Sequence, residues 1–290
     1  MLGTAILSGL VLGGTYALVA MGLTLQYGIA RIMNLAYGET IIAAAFLAYV
    51  MFSHWGVSPV LGLLIAIPAG FFLGYVVYGL LMRPLVARAR DKASLEIDSI
   101  LATFGLLFVI QGLLLVVFGA NFTNYSYLNI PVKVLGTTVA ANRLLALVMA
   151  VVSGLGIYLV LTRTLWGTAL RAVAVSPSSA ALVGIDVDKT ARTAFAIGGA
   201  LAAAGGVVIS MYQTFTATSG VVFTMKALIV VIMGGVGNIL GALSAGLILG
   251  LVETFVATFV SPGLTLAATY LIFLGVLLWR PAGMFGRTTR

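Results

Sequence analysis

The chain alternates long apolar runs with short polar segments. A helix that crosses a bilayer needs about 20 predominantly apolar residues, and by this measure the pattern predicts about nine helices. They are Thr4–Tyr27, Thr40–Phe52, Val57–Met82, Ser99–Phe118, Leu144–Thr162, Thr193–Tyr212, Phe223–Met233, Ile239–Val260 and Leu264–Trp279. The second and seventh are too short to cross alone. We therefore expect an all-α polytopic membrane protein with about 8–9 transmembrane or half-spanning helices, in a single domain over residues 1–290.

Each short helix abuts a Gly-rich polar turn, at residues 34–39 and 234–238. Interrupted helices in membranes usually line a cavity or pack against other protein, because exposed backbone in lipid is costly. These turns supply the pathway or helix-break candidates Asn34, Tyr37, Gly38, Glu39, Gly234, Gly235, Gly237 and Asn238. An alternative for the first turn is that Asn34 and Glu39 simply cap a broken helix. The alternative for the second is a crowded helix crossing.

Composition narrows the function classes. The chain is 62% hydrophobic and 8% charged, with a mean hydropathy of +1.19, which leaves too little polar surface for a water-soluble globule. It has no Cys and one His, so we expect no metal site. There is no G-x-x-x-x-G-K-[ST] loop, so ATP hydrolysis by this chain itself is not expected. Its basic residues sit between apolar runs, where they set membrane topology, and nucleic acid is not an expected partner.

Alternating the predicted spans divides the basic residues unequally between the two sides. One side receives Arg31, Arg83, Arg88, Arg90, Lys92, Arg163, Arg171, Lys189, Arg192, Arg280, Arg287 and Arg290. The other receives Lys133, Arg143 and Lys226. The positive-inside rule makes the first side cytoplasmic, which predicts an amino terminus outside and a carboxyl terminus in the cytoplasm.

Only one of the seven acidic residues, Glu253, lies deep in an apolar run. Buried carboxylates in membranes are commonly functional, so Glu253 is a pathway candidate. A lone carboxylate near a span end also reaches the interface or pairs with a neighbour in some proteins. Lys226, near an outer helix end, is interpreted as an interfacial anchor.

The longest polar island in the second half of the chain is Arg163–Arg192. Within it, Ser176 is a good N-cap, Pro177 suits the first helical position, and Gly184 suits a left-handed stop. A capped helix outside the bilayer, between two spans, indicates a docking element for a soluble partner.

Pairs of small residues spaced by four occur at Gly9/Gly13, Gly70/Gly74, Gly237/Gly241 and Gly246/Gly250. This spacing lets helices approach closely. The favoured interpretation is packing within one bundle; the alternative is an interface with a second membrane subunit.

Several of these stretches resemble a known family. They are Asn34-Leu35-Ala36-Tyr37-Gly38-Glu39, Arg171-Ala172-Val173-Ala174 with Ala180 and Gly184-Ile185-Asp186, Lys226-Ala227 through Gly234-Gly235-Val236-Gly237-Asn238 to Gly241-Ala242, and the final Arg280–Gly286. In this order they resemble the permease subunits of the branched-chain amino-acid (Liv-type) ABC importers, a group that includes urea and amide permeases. The chain departs from the family in having Tyr37 where many members have His, and Val175-Ser176-Pro177 where an acidic or amide pair is usual.

The resemblance implies an ABC importer permease fold and a cytoplasmic coupling loop at about residues 163–192. Its coupling residues would be Arg171, Ala174, Ser176, Pro177, Ala180, Gly184, Ile185 and Asp186. It also implies that ATP and Mg are bound by separate ABC ATPase subunits, with no cofactor in this chain. Further implied partners are a second permease, homologous or identical, an extracytoplasmic substrate-binding protein and membrane lipid, in the bacterial cytoplasmic (inner) membrane. The open alternatives are a urea or short-amide permease and a self-sufficient ion-coupled secondary transporter, for which Glu253 is the deep candidate.

Overall fold

A computed structural model describes residues 2–30, 32–89, 91–134 and 137–286, and for Lys92, Val134 and Thr137 it describes the backbone alone. The helices are α1 Leu2–Ala30, α2 Tyr37–Trp55, α3 Pro59–Val77, α4 Arg83–Arg88, α5 Lys92–Phe118, α6 Ala141–Arg163, α7 Leu165–Val175, α8 Pro177–Leu182, α9 Val187–Ser210, α10 Gly220–Gly234, α11 Ile239–Phe259 and α12 Thr265–Trp279. A π-helical turn, Tyr78–Met82, joins α3 to α4, and a 3₁₀ turn, Pro262–Leu264, precedes α12.

Each of the nine predicted helices overlaps a helix of the structure. Within the described ranges, seven helices are long and apolar enough to cross a membrane, and α10 is a shorter apolar helix. The predicted length of the second helix was wrong, because α2 has 19 residues and begins at Tyr37 rather than Thr40. Its N-cap is Ala36, which forms no side-chain cap bond. No sequence signal therefore marked this helix start.

The prediction of an all-helical chain needs one correction. The segment between α5 and α6 contains two short antiparallel strands, β1 Pro131–Val134 and β2 Thr137–Ala140. Their Val and Thr residues favour strand over helix, because a β-branched side chain has few rotamers in a helix. The same segment pairs Thr123 with Phe215, beyond the end of α9. The loops after α5 and after α9 therefore lie on the same side of the bundle.

Helices α1 and α9 form the centre of the bundle. In the most apolar stretch of each, 72% and 83% of residues are buried, against 17% for α5 and 6% for α12. The apolar surface left on α5 and α12 suits contact with lipid, because hydrocarbon solvates such side chains well.

The small-residue pairs pack helices within this chain, as the favoured interpretation predicted. Gly9 and Gly13 of α1 lie against Gly250 and Leu251 of α11, so closely that a Cβ at position 250 would overlap the Gly13 backbone. Gly70 and Gly74 of α3 meet α9 in the same way. Close backbone approach increases dispersion contact, which drives helix association in lipid.

Candidate functional site

A buried charged cluster joins α1, α10, α11 and α12. The Lys226 ammonium lies 2.7 Å from Glu253 Oε1 and donates to the Tyr16 hydroxyl at 2.5 Å. Tyr16 in turn donates to Glu253 Oε2 at 2.6 Å, and Thr269 donates to Oε1 at 3.3 Å. Removing Glu253 or Lys226 alone would leave an uncompensated buried charge, which is strongly unfavourable.

Lys226 is therefore not an interfacial anchor, and that interpretation was wrong. Its side chain is 17% exposed and paired with Glu253, whose side chain is 5% exposed. Two structural alternatives were left open for Glu253, an interfacial position and pairing with a neighbour. The structure shows the pairing. The other two ion pairs among the described residues, Arg83–Asp188 and Lys189–Asp186, are both on exposed side chains.

The cluster borders a cavity of about 290 Å³. Polar groups on its wall include Ser8, Arg143, Tyr212 and Gln213 besides the cluster, and apolar groups include Val11, Leu12 and Ala257. Tyr212 is held by a 2.7 Å hydrogen bond with Thr15, and Arg143 donates to Ser8 at 3.1 Å. The wall therefore combines both signs of charge with an aliphatic surface.

A second, polar cavity of about 370 Å³ continues from the first, sharing Ser8, Arg143, Tyr212 and Gln213. It is bordered by the hairpin segment and by the end of α9. Asn142 donates to the Met211 carbonyl at 2.9 Å, while its own Oδ1 is buried with no hydrogen-bond partner among the described residues. Together the two cavities form a polar recess that ends at the Lys226–Glu253 pair.

The first helix-break candidates lie where the starts of α2 and α10 meet. The Gly38 N–H donates to Thr224 Oγ1 at 2.8 Å, and Thr224 donates to the Leu35 carbonyl at 3.2 Å. A Cβ on Gly38 would overlap the Gly220 carbonyl. The interrupted helices thus pack against other protein, as such helices should.

Glu39 lies at this junction, fully buried, and neither carboxyl oxygen has a hydrogen-bond partner among the described residues. It packs against Gly220, the first residue of α10. The predicted capping role was wrong for Glu39, since α2 has no side-chain cap. The positive ends of two helix dipoles, those of α2 and α10, face its carboxyl group instead.

Asn34 and Tyr37 fix the same junction to α1. Asn34 donates to Gln26 at 3.0 Å and accepts from the Ala36 N–H at 3.1 Å. Tyr37 is fully buried and donates to the Val19 carbonyl at 2.8 Å. Both side chains therefore attach the segment at the start of α2 to α1.

The second helix break is a crowded crossing. Gly235 and Gly237 have φ values of +100° and +80°, which favour Gly. Asn238 caps α11 by accepting from the Gly241 N–H, and it donates to the Phe285 carbonyl. Because Glu253 lies about 22 Å along α11 at 1.5 Å per residue, this turn is separate from the charged cluster.

The predicted cap of α8 is confirmed. Ser176 Oγ accepts from the Ser179 N–H at 3.3 Å, Pro177 is the first residue of α8, and Gly184 has a φ of +81°. Of the predicted coupling residues, Ala180 is buried and faces the protein, while Arg171 bonds within its own helix to Gly167 and Thr168.

Three exposed apolar side chains in and beside α8 were missed. They are Val175, Leu182 and Val183, with Leu182 88% exposed. Their apolar character beside the polar positions of a short capped helix was a usable signal, because a single-turn helix cannot bury all its faces.

These features define a multi-pass membrane protein with a buried charged site at the end of a polar recess. The family described as "Branched-chain amino acid transport system / permease component" matches residues 5–279, and the chain belongs to it.

Relatives extend over nearly the full chain. The "Probable branched-chain amino acid transport permease protein LivH" of Methanocaldococcus jannaschii is 27% identical and covers 93% of this chain and 88% of its own. The "High-affinity branched-chain amino acid transport system permease protein BraD" of Pseudomonas aeruginosa is 27% identical over 97% of this chain and 95% of its own. Among solved structures, "PsaBC from Streptococcus pneumoniae in complex with Fab" covers 98% of this chain at 12% identity and a TM-score of 0.48, a likeness too weak to bear on the fold.

Proposed function

We propose that this chain is the transmembrane permease subunit of an ABC importer that carries branched-chain or related amino acids by alternating access. The observation that carries the proposal is the Lys226–Glu253 site at the end of a polar recess, in a chain that matches a transport-permease family over residues 5–279. Intramembrane charges facing an aqueous cavity usually mark a substrate pathway. The helix breaks beside this pathway would be formed by the remaining candidates, which are Asn34, Tyr37, Gly38, Glu39, Gly234, Gly235, Gly237 and Asn238.

The proposed orientation places the amino terminus outside and the carboxyl terminus in the cytoplasm of a bacterial inner membrane. Contacts between helix ends support the alternation of the predicted spans between the two sides of the membrane. Arg143 meets Ser8 near the start of α1, whereas Arg83 meets Asp188 at the start of α9. The group of basic residues that contains Arg83 then lies on the cytoplasmic side.

ATP hydrolysis is assigned to separate ATPase subunits that bind ATP and Mg. The residues proposed to couple to them are Arg171, Ala174, Ser176, Pro177, Ala180, Gly184, Ile185 and Asp186. To these we add Val175, Leu182 and Val183, whose exposed apolar side chains suit a pocket on a soluble partner. A second permease copy or homologue and an extracytoplasmic binding protein complete the proposed assembly.

The secondary-transporter alternative has less support. Its deep candidate was Glu253 as the group that binds the coupling ion, and Glu253 is already paired with a cation, Lys226, so it carries no uncompensated charge for an ion. The urea or short-amide alternative concerns cargo, and the paired charges of the site favour a charged, net-neutral cargo over an uncharged one.

The proposal is tested by purifying the chain with its native partners in mild detergent and reconstituting the assembly in liposomes. We expect co-purified ATPases and a second permease, and leucine uptake that requires ATP and stops when the ATPase Walker lysine is replaced. Uptake by this chain alone, driven by an ion gradient, would overturn the proposal.

A further inference from the structure

The Lys226–Glu253 pair borders the cavity and has spare hydrogen-bonding capacity. An ammonium has three donors, and among the described residues Lys226 uses two, to Glu253 and to Tyr16. Its side chain is also more exposed than that of Glu253, 17% against 5%. A ligand in the cavity therefore meets the ammonium first and the carboxylate beside it.

Packing alone gives little reason for the pair. Replacing a buried ion pair by apolar residues of similar volume is often neutral or stabilising, because desolvation offsets the Coulomb attraction. Here the pair is further held by Tyr16 and Thr269, on two other helices. Four helices thus hold one cation and one anion, adjacent to each other, at a cavity wall.

The rest of the wall matches a particular ligand shape. Val11, Leu12 and Ala257 provide an aliphatic surface beside the charges. A molecule with adjacent positive and negative groups and an aliphatic side chain would satisfy both parts of the wall.

We infer that Lys226 and Glu253 form the substrate's zwitterion-binding site, an inference that rests on the proposed function. The α-carboxylate of the amino acid binds the Lys226 ammonium, the α-ammonium binds the Glu253 carboxylate, and the side chain lies against Val11, Leu12 and Ala257. Tyr16, which bonds both partners of the pair, bridges the opened pair when substrate separates it.

Electroneutrality gives the site its selectivity. The buried ion pair and the zwitterion are each neutral, so their complex buries no net charge; the other charged group of the wall, Arg143, is exposed. An amine without the carboxylate, or a carboxylic acid without the amine, would bury an unpaired charge at a high desolvation cost.

The test replaces both charges together, Lys226→Met with Glu253→Gln, in the complete reconstituted importer. The double variant buries no unpaired charge, so we expect unchanged assembly and thermal unfolding. Leucine uptake should fall about tenfold or more, since hydrogen bonds to charged groups contribute most to binding. Thr258→Ala is the matched control on α11, because Thr258 is exposed and bonds only to the backbone of its own helix.

A structural role for the pair predicts the opposite result. If the double variant takes up leucine within twofold of the original protein, the inference fails while the proposed function stands. If the unaltered importer takes up no amino acid at all, the proposed function fails and the inference with it.

A second measurement decides the case in which the double variant does not assemble. A diazirine analogue of leucine is photolysed during turnover of the unaltered importer, and labelled peptides are identified by mass spectrometry. We expect adducts on the α1 and α11 segments that contain Val11 and Ala257. Adducts confined to other segments, while the analogue is transported, would overturn the inference.

Discussion

At the scale of single residues, the central question is how a charge is kept inside an apolar bundle. Glu253 accepts from Tyr16 and Thr269 and lies against the Lys226 ammonium, so both oxygens are satisfied. Glu39, equally buried, has no such partners among the described residues and lies between two helix starts. The chain thus uses a counter-ion in one place and helix dipoles in another.

Single and double replacements of the pair should differ in stability. We expect Lys226→Met alone to lower the free energy of unfolding by about 3–5 kcal/mol, because it leaves the Glu253 carboxylate buried and unpaired. Adding Glu253→Gln should recover most of the loss. Unfolding in detergent, followed by tryptophan fluorescence, measures both; equal stability of the single and double variants would contradict the pairing.

The depth of Glu253 was predictable from sequence, but its partner was not. The apolar residues around Glu253 indicate burial whatever the fold. Lys226 joins it only because α10 packs antiparallel to α11, and nothing in the local pattern around Lys226 reveals that packing. The same reasoning explains why Lys226 was mistaken for an interfacial anchor.

At the scale of elements, local signals predicted most of the helices and long-range packing determined the rest. The short helix α8 was predictable in detail because Ser176, Pro177 and Gly184 act within the same turn of chain. The start of α2 was missed because Ala36 is no capping residue and its first turn is fixed by α10 and α1. Sequence spacing did predict close helix packing within the bundle at Gly9/Gly13 and Gly246/Gly250, but not that α1 and α11 are the partners.

The crossing of α1 and α11 should be sensitive to a single methyl group. We expect Gly250→Ala to lower the free energy of unfolding by about 1–3 kcal/mol, because the new Cβ would overlap the Gly13 backbone and force the helices apart. Gly275→Ala in α12 is the control: no heavy atom lies within 4 Å of its Cβ position, and Ala favours helix. Thermal unfolding compares the two, and an equal response would contradict the close crossing.

The first turn of α9 should depend on pH through its N-cap. The Lys189 backbone N–H, followed by its ammonium, holds the pKa of Asp186 below its ordinary value. A carboxylate with a lowered pKa in the folded state stabilises the fold above its unfolded pKa, and this contribution is lost as pH falls through the folded pKa.

We therefore expect amide-exchange protection at Lys189 and Thr190 to fall as the pH drops below the ordinary Asp range of about 4. Asp186→Asn keeps an acceptor but does not titrate, so its protection should not change across this window. The same pH response in both proteins, after correction for intrinsic exchange, would contradict the cap as its cause.

At the scale of the whole molecule, one continuous helix joins the central recess to the region of α8. Helix α9 begins beside α8 and ends at the recess, at Ser210. With 83% of its most apolar stretch buried, it contacts much of the bundle. A displacement of α8 by a partner would therefore reach the recess through a packed helix, as a rigid element transmits motion.

Docking through α8 should depend on its exposed apolar tip. We expect Leu182→Asp to leave thermal unfolding of the isolated chain unchanged, since the side chain is 88% exposed, and to reduce co-purified ATPase and ATP-dependent uptake at least tenfold. Leu182→Met, which keeps an apolar side chain of similar size, should retain both. Full ATPase recovery with Leu182→Asp would exclude this tip from the docking surface.

The second helix break bears on how the protein is made. The Met284 N–H donates to the Met233 carbonyl at 2.8 Å, and the Phe285 N–H donates to the Gly234 carbonyl at 3.2 Å. Residues 284 and 285 leave the ribosome about 50 residues after the end of α10, which is several seconds at roughly 5–20 residues per second. During that interval the carbonyls at the end of α10 lack these partners. Until the later segment leaves the ribosome, the turn between α10 and α11 therefore lacks the hydrogen bonds that complete it.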